Sequence, residues 1–208
     1  VVPLNIKVTV ADQVYIDRTG LPSAMIAQLV RVAAFQNPEF YRAQAMRLPT
    51  FGKPRVVSCA ELHPRHIALP RGCFDEAVEI LAEHGAKVEL DDHRSEGTPL
   101  PDTVQFLGKL RPQQQRAFEA LTAHDTGVLA ATTAFGKTVV ASALIGHRAR
   151  NTLVLVHRRE LLDQWVERLK SFLQIDVKLI GAIGGGKRKP TGVIDVALIQ
   201  SLVRNGEV

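Results

Sequence analysis

The stretch "TGVLAATTAFGKTVVASALIG", residues 126–146, places an apolar strand-like run, a short polar loop ending in Gly-Lys-Thr and an apolar helix-like run in that order. It constrains the fold more than any other segment. A phosphate loop needs backbone N–H groups converging on an anion at a helix N-terminus, a lysine that reaches the outer phosphates, and a hydroxyl for Mg²⁺. Gly136 permits close backbone approach, Lys137 supplies the charge and Thr138 the hydroxyl, while Thr133, Ala134 and Phe135 complete the loop. Ala131 and Ala134 stand where the general G-x-x-x-x-G-K-T pattern and its relatives often use glycine. An alanine there costs something only if the backbone must take positive φ. A bound nucleotide is the expectation.

Around the loop, the apolar runs "GVLAA", "TLVLVH", "VKLIG" and "VIDVALI" alternate with helical segments or a turn. That rhythm predicts a mainly parallel sheet covered on both faces, as in doubly wound nucleotide-binding folds. Upstream the pattern differs. "NIKVTV" and "QVYID" alternate like strands, and Ile26, Leu29, Val30 and Ala33 follow helical spacing. "QNPEFYRAQAMR" reads as a helix with Asn37 as its cap, Pro38 in the first turn and Glu39 complementing the dipole. "RVVSCAELHPRHIAL" reads as a hairpin around "HPRH", then "CFDEAVEILAEHGA" as a helix stopping at Gly85, and "KVELDD" as a strand. The fold class expected is α/β: a small N-terminal α/β domain over residues 1–95, a linker over 96–109 rich in Gly, Pro and polar residues, and a partial P-loop domain over 110–208.

The 208 residues suit one large or two small domains, and 46% hydrophobic residues suffice for real cores. No run of eighteen apolar residues occurs, and "VVPLNIKVTVADQ" has neither a basic start followed by an apolar stretch nor a cleavage site, so neither a membrane span nor an export signal is expected. Two cysteines are too few for a disulfide scaffold and fit a reducing, cytoplasmic setting. The formal net charge of +5 favours a polyanionic partner. Cys59, His63, His66 and Cys73 offer four metal-ligand types, but their spacing matches no common zinc finger, and buried thiols and turn histidines are the preferred reading. The chain begins with Val, and "IDVALIQSLVRNGEV" stops soon after a strand-like run, so both ends read as cut.

The loop and three further segments together resemble the superfamily 2 helicases and translocases, a DEAD/DEAH-like group whose first motif commonly begins with Ala. "LRPQQQRAFEAL" resembles their upstream adenine-reading segment, which carries over to Arg111 and Gln114. A Gln amide presents a donor and an acceptor to an adenine edge. "LVLVHRRELLDQWVERL" resembles the segment in which a strand ends beside the nucleic-acid backbone, which carries over to His157, Arg158 and Arg159. "IDVALIQSLVR" resembles the following segment and points to Gln200 and Ser201 as further backbone contacts. Trp165 sits in helical register with Leu162, Val166 and Leu169 and reads as core. Among the branches, "IALPRGC", "LLDQW" and "DVALIQSL" look most like DNA translocases of the XPB type and related restriction or phage-defence helicases, and residues 1–95 are similar to their DNA-engaging accessory domain.

This resemblance implies a RecA-like domain that binds ATP and Mg²⁺, with Thr138 holding the metal and Lys137 contributing transition-state charge in the complete motor, and DNA as the nucleic-acid partner. No D-E-x-H or D-E-x-D sequence follows the phosphate loop, so the acidic second motif is not supplied. The expectation is the N-terminal part of an ATP-dependent DNA helicase or translocase that does not hydrolyse ATP alone, and whose motor is completed by the missing C-terminal region or another chain. Two alternatives stay open: a noncatalytic DNA-binding module with a vestigial phosphate loop, and a P-loop phosphotransferase. The glycine-rich "GAIGGGKRKPTG" leads into no helix and reads as a hairpin with Lys187, Arg188 and Lys189 exposed.

Overall fold

The computed structural model describes residues 5–203. They form two compact units divided between Ser95 and Glu96.

In the first unit the chain runs β1 (Asn5–Val10), β2 (Val14–Asp17), α1 (Ser23–Val32), β3 (Ala34–Gln36), α2 (Pro38–Ala45), β4 (Val56–Ser58), β5 (Glu61–Leu62), β6 (His66–Leu69), α3 (Phe74–Glu83) and β7 (Lys87–Asp92). Five strands make one sheet in the order β5-β6-β2-β1-β7, antiparallel except for the parallel β1–β7 pair. Strict alternation decides its faces. Ile6, Val8, Val10, Val14, Ile16, Ile67 and Leu69 point to one side and are buried with Met25 and Leu29 of α1 and Ala77 and Leu81 of α3. Lys7, Thr9, Tyr15 and His66 occupy the other. The α2 helix starts as its sequence predicts, with the Asn37 side chain accepting from the Glu39 N–H at 3.0 Å. β3 and β4 pair apart from the main sheet, and the hairpin around "HPRH" joins β5 to β6.

The second unit runs β8 (Gln105–Phe106), α4 (Pro112–Thr122), α5 (Lys137–Arg148), β9 (Thr152–Val156), α6 (Arg159–Phe172), β10 (Leu173–Gln174), β11 (Ile180–Gly184), β12 (Lys187–Lys189), β13 (Ile194–Leu198) and α7 (Ile199–Leu202). Its sheet has the order β12-β11-β13-β9, with β11, β13 and β9 parallel and β12 returning antiparallel as a hairpin. Val154, Val156, Ile194 and Val196 pack with Leu162, Trp165 and Leu169 of α6, which places Trp165 in the core as its helical spacing predicts. Residues 96–109, read as a linker, lie along this unit: Leu100 and Val104 are buried in its core, and β8 pairs with β10.

One expected strand does not form. Residues 127–131, "GVLAA", have no ladder partner among the described residues and run as irregular chain, with Val128 92% exposed. A strand exists only through its neighbours, and the apolar pattern that predicts one says nothing about whether a neighbour is present. β9 forms an edge of the sheet, and its Leu153 and Leu155 are half exposed. "VKLIG" also begins differently. Its first three residues make a 3₁₀ turn capped by Asp176, and the strand starts at Ile180.

Candidate functional site

The Gly-Lys-Thr sequence falls at the start of α5. Gly136 precedes the helix with φ +89°, and Lys137 and Thr138 are its first two residues. The first N–H groups of a helix have no partners within it, and the helix dipole adds positive potential there. The Lys137 ammonium donates to the carbonyls of Ala131 and Thr132 at 2.8 and 2.9 Å, bending back across the loop. Thr138 is half-buried. Its carbonyl accepts from the Ser142 hydroxyl at 2.9 Å, which holds the first turn of the helix.

Ala134 takes φ +64°, the left-handed region that the sequence pattern usually fills with glycine. The cost raised by its side chain is therefore real, of order 1–2 kcal/mol for an L-residue in that conformation. The loop nonetheless keeps its shape, because a second element holds it. Gln114 of α4 is 97% buried, since only 3% of its surface is exposed. Its amide accepts from the Arg111 N–H at 2.9 Å and donates to the Phe135 carbonyl at 2.8 Å. The Arg111 guanidinium donates to the same carbonyl. Both residues thus grip the loop that precedes α5, and together with Pro112, Gln113 and Phe135 they line a cleft of about 280 Å³ beside it. A Cβ on Gly136 would stand 2.4 Å from Nε2 of Gln114. Glycine is required there by space as well as by φ.

The second group of predicted residues gathers where the parallel strands end. His157 follows β9, Arg158 precedes α6 and Arg159 opens it; all three are exposed. Gln200 follows β13, and its amide donates to the His157 carbonyl at 3.2 Å, which brings the two segments together. Ser201 is exposed beside it on α7. The turn between β11 and β12 joins them, since a Cβ on Gly185 would lie 2.9 Å from Nε of Arg159. Arg159 is therefore laid against the turn of the basic hairpin. In open parallel sheets, ligands bind at this end of the strands. Residues 96–208 carry fifteen basic and ten acidic side chains, whereas residues 1–95 carry eleven of each, so the chain's whole positive excess belongs to this unit.

Asp195 was not singled out by its sequence context. It is buried, accepting from the N–H groups of Thr191 and Gly192 at 2.8 and 2.9 Å and from the Thr191 hydroxyl at 3.0 Å, and so it fixes the approach to β13. An Asp within an apolar strand run is the signal that could have found it. The four candidate zinc ligands take other contacts: Cys73 Sγ lies 3.8 Å from the Val32 carbonyl, the rings of His63 and His66 stack at 4.4 Å, and Cys59 is exposed. Among the described residues no three His, Cys, Asp or Glu side chains gather as a metal site, and no helix is long and apolar enough to cross a membrane.

Comparison with known proteins finds relatives of this chain. Residues 107–207 match the family described as the res subunit of Type III restriction enzymes. The chain is 27% identical over 122 residues to a DNA 3'-5' translocase XPB2 of Sulfurisphaera tokodaii and 35% identical over 109 residues to a putative DNA 3'-5' helicase Rad25 of Halobacterium salinarum. The matches take in 59% and 52% of this chain but only 27% and 18% of those proteins. The crystal structure of the UvsW helicase from bacteriophage T4 superposes with a TM-score of 0.60 at 16% identity, over 95% of this chain and 76% of that one. That likeness is one of fold, a mixed α/β architecture with a parallel sheet.

Proposed function

We propose that the chain, whose residues 107–207 match a helicase family of the superfamily 2 kind, supplies the nucleotide-binding and part of the nucleic-acid-binding surface of an ATP-dependent DNA helicase or translocase. The observation that carries this reading is the grip of buried Gln114 on the Phe135 carbonyl, which ties an adenine-side segment directly to a loop ending in Lys137 and Thr138.

The residues present fit ATP with Mg²⁺. The left-handed turn at Ala134 and Gly136 leaves the N-terminus of α5 open to an anion. Lys137, which the loop carbonyls of Ala131 and Thr132 hold, would exchange them for outer phosphate oxygens, and Thr138 would offer its hydroxyl to the metal. Bound Mg·ATP supplies the phosphoryl chemistry from which such motors draw work. Arg111, Gln114, Thr133, Ala134, Phe135 and Gly136 orient the nucleotide. No D-E-x-H or D-E-x-D sequence follows the loop in these 208 residues, so the chain binds without turnover, and the Mg²⁺-coordinating and water-orienting carboxylates come from elsewhere in the motor. The half-exposed Leu153 and Leu155 on the edge strand and the unpaired 127–131 run are the surfaces that further strands would cover. His157, Arg158, Arg159, Gln200 and Ser201 hold the sugar-phosphate backbone of the nucleic acid, DNA by the relatives' names.

A titration with a fluorescent ATP analogue and Mg²⁺, run on the chain and on Lys137→Ala with phosphate release recorded in parallel, tests the reading. Lysine-dependent binding without turnover is expected. Nucleotide binding that ignores Lys137, or none at all, would replace the reading with a noncatalytic nucleic-acid-binding module, and turnover without DNA on a small acceptor would replace it with a phosphotransferase.

A further inference from the structure

In the cleft beside the loop that precedes α5, the groups left to face a ligand differ from those the sequence offers. Gln114 is 3% exposed, and both ends of its amide are taken. Its Oε1 accepts from the Arg111 N–H at 2.9 Å, and its Nε2 donates to the Phe135 carbonyl at 2.8 Å. Nε2 also abuts Gly136, where a Cβ would stand 2.4 Å away. An amide held on both sides reads a base only by giving up both bonds, and an exchange of two bonds for two favours no base. The Phe135 carbonyl is taken as well. It accepts from Gln114 and from Nη2 of Arg111, which fills both of its lone pairs.

What remains at the cleft is a donor and an aromatic ring. Nη2 of Arg111 also lies 3.5 Å from the Ala134 carbonyl, whereas Nε and Nη1 make no hydrogen bond among the described residues. A guanidinium donates and never accepts. Gln113 is exposed, and its amide makes no hydrogen bond among the described residues, so it is free to present its oxygen or its nitrogen. Half-buried Phe135 completes the lining with Pro112, and stacking on an aromatic ring is indifferent to which base is stacked. Adenine shows a donor and an acceptor, N6–H and N7, on the edge where guanine shows two acceptors, O6 and N7. Selecting adenine takes a fixed acceptor for N6–H, and the held side chains of the cleft offer none. N7, which a guanidinium can meet, is common to both purines.

We infer that this site takes purine nucleoside triphosphates without distinguishing adenine from guanine, Gln114 acting as a positioning residue for the loop and not as the reader of the base. This deepens the proposed function and rests on it. Lys137, Thr138 and the start of α5 hold the phosphates, which ATP and GTP share, and the base adds stacking on Phe135 and a hydrogen bond to N7.

The test uses the whole chain with Mg²⁺ and methylanthraniloyl-ATP, displaced in turn by ATP, GTP and inorganic tripolyphosphate, and repeats the titrations on Lys137→Ala and Gln114→Ala. A good bidentate pair to a base selects by about five- to 150-fold. ATP and GTP should instead displace the probe at concentrations within about threefold of each other. Gln114→Ala should weaken ATP, GTP and tripolyphosphate by the same factor, because what it loses is the loop; a variant that weakens ATP alone would make Gln114 the base reader. ATP displacing the probe more than about fivefold better than GTP would overturn the inference, and Lys137-dependent binding in the same titration would leave the proposed function standing. If Trp165 fluorescence shows Gln114→Ala unfolded, the comparison of ATP with GTP on the unsubstituted chain decides by itself. Binding that ignores Lys137→Ala would overturn the proposed function, and this reading of the base with it.

Discussion

The Gln114 amide bridges two elements at once, accepting from the N–H of Arg111 and donating to the carbonyl of Phe135 at 2.8 Å. This one side chain caps α4 and fixes the loop that precedes α5. Replacing it with alanine leaves a helix N–H and a loop carbonyl without this partner in a buried place, and a buried polar group left unsatisfied costs about 1–3 kcal/mol. The chain's single tryptophan, Trp165, lies in the core of the same unit, so its fluorescence during urea unfolding reports that unit alone. Gln114→Ala should lower the tryptophan-detected midpoint and weaken the fluorescent nucleotide together; a loss of nucleotide with an unchanged midpoint would mean that Gln114 serves the ligand and not the loop.

Ala134 at φ +64° gives the opposite prediction. Glycine removes the left-handed penalty of about 1–2 kcal/mol but gives the unfolded chain about 0.4–1 kcal/mol more backbone entropy to lose. Ala134→Gly should therefore raise the tryptophan-detected stability by a net gain of about 0.5–1 kcal/mol. Gly136→Ala should do the reverse, since its Cβ would meet Nε2 of Gln114 at 2.4 Å. Measured in parallel, the two variants separate the conformational cost of the loop from its steric cost.

How far the sequence reveals all this varies by element, and the reasons are physical. Helices α2, α3 and α6 are legible because a cap and an apolar stripe are local properties: Asn37 caps where its position predicts, and Leu162 and Leu169 are buried at the spacing that predicts it. The parallel pairing of β11, β13 and β9 is legible from uninterrupted apolar runs. The 127–131 segment misleads for the converse reason, because pairing is a property of neighbours. At the site, the order of motifs points to Lys137, Arg111 and Gln200, but the tether from Gln200 to the His157 carbonyl and the hold of Gln114 on Phe135 join residues 43 and 21 positions apart, which no local pattern encodes. Asp195 escapes notice because an acid in an apolar run reads as a blemish until its turn is seen.

Acid should act first on the first unit. The Arg94 side chain, with a contact of 2.7 Å, and its N–H hold the Asp92 carboxyl down at about 2. Lys7, then His93, lowers Asp91, and hydrogen bonds from Thr19 lower Asp17. For a carboxyl whose folded value lies below its unfolded value of about 3.9, the stabilisation is complete above that value and is lost as the pH falls toward the folded one. Stability of the first unit should thus be flat in this respect from pH 7 to about 5 and decline between about 4 and 2. Carboxyl NMR should place the Asp92 midpoint near 2, and Arg94→Ala should move it upward toward the ordinary range; a midpoint that stays put would mean the pair does not form in solution.

If the basic rim holds nucleic acid as proposed, charge and tether should make separable contributions to binding. The exposed Arg159 lies beside the turn of the β11–β12 hairpin, with its Nε 2.9 Å from where a Cβ on Gly185 would stand. If Arg159 meets a phosphate, Arg159→Ala should weaken binding and reduce the slope of log affinity against log salt by about 0.7 on a single strand or 0.9 on duplex. Gln200→Ala removes no charge. It should weaken binding by releasing His157 while leaving the slope unchanged. Anisotropy titrations across a salt series on both variants read the two effects independently, and an unaltered slope in Arg159→Ala would remove that residue from the phosphate-contacting set.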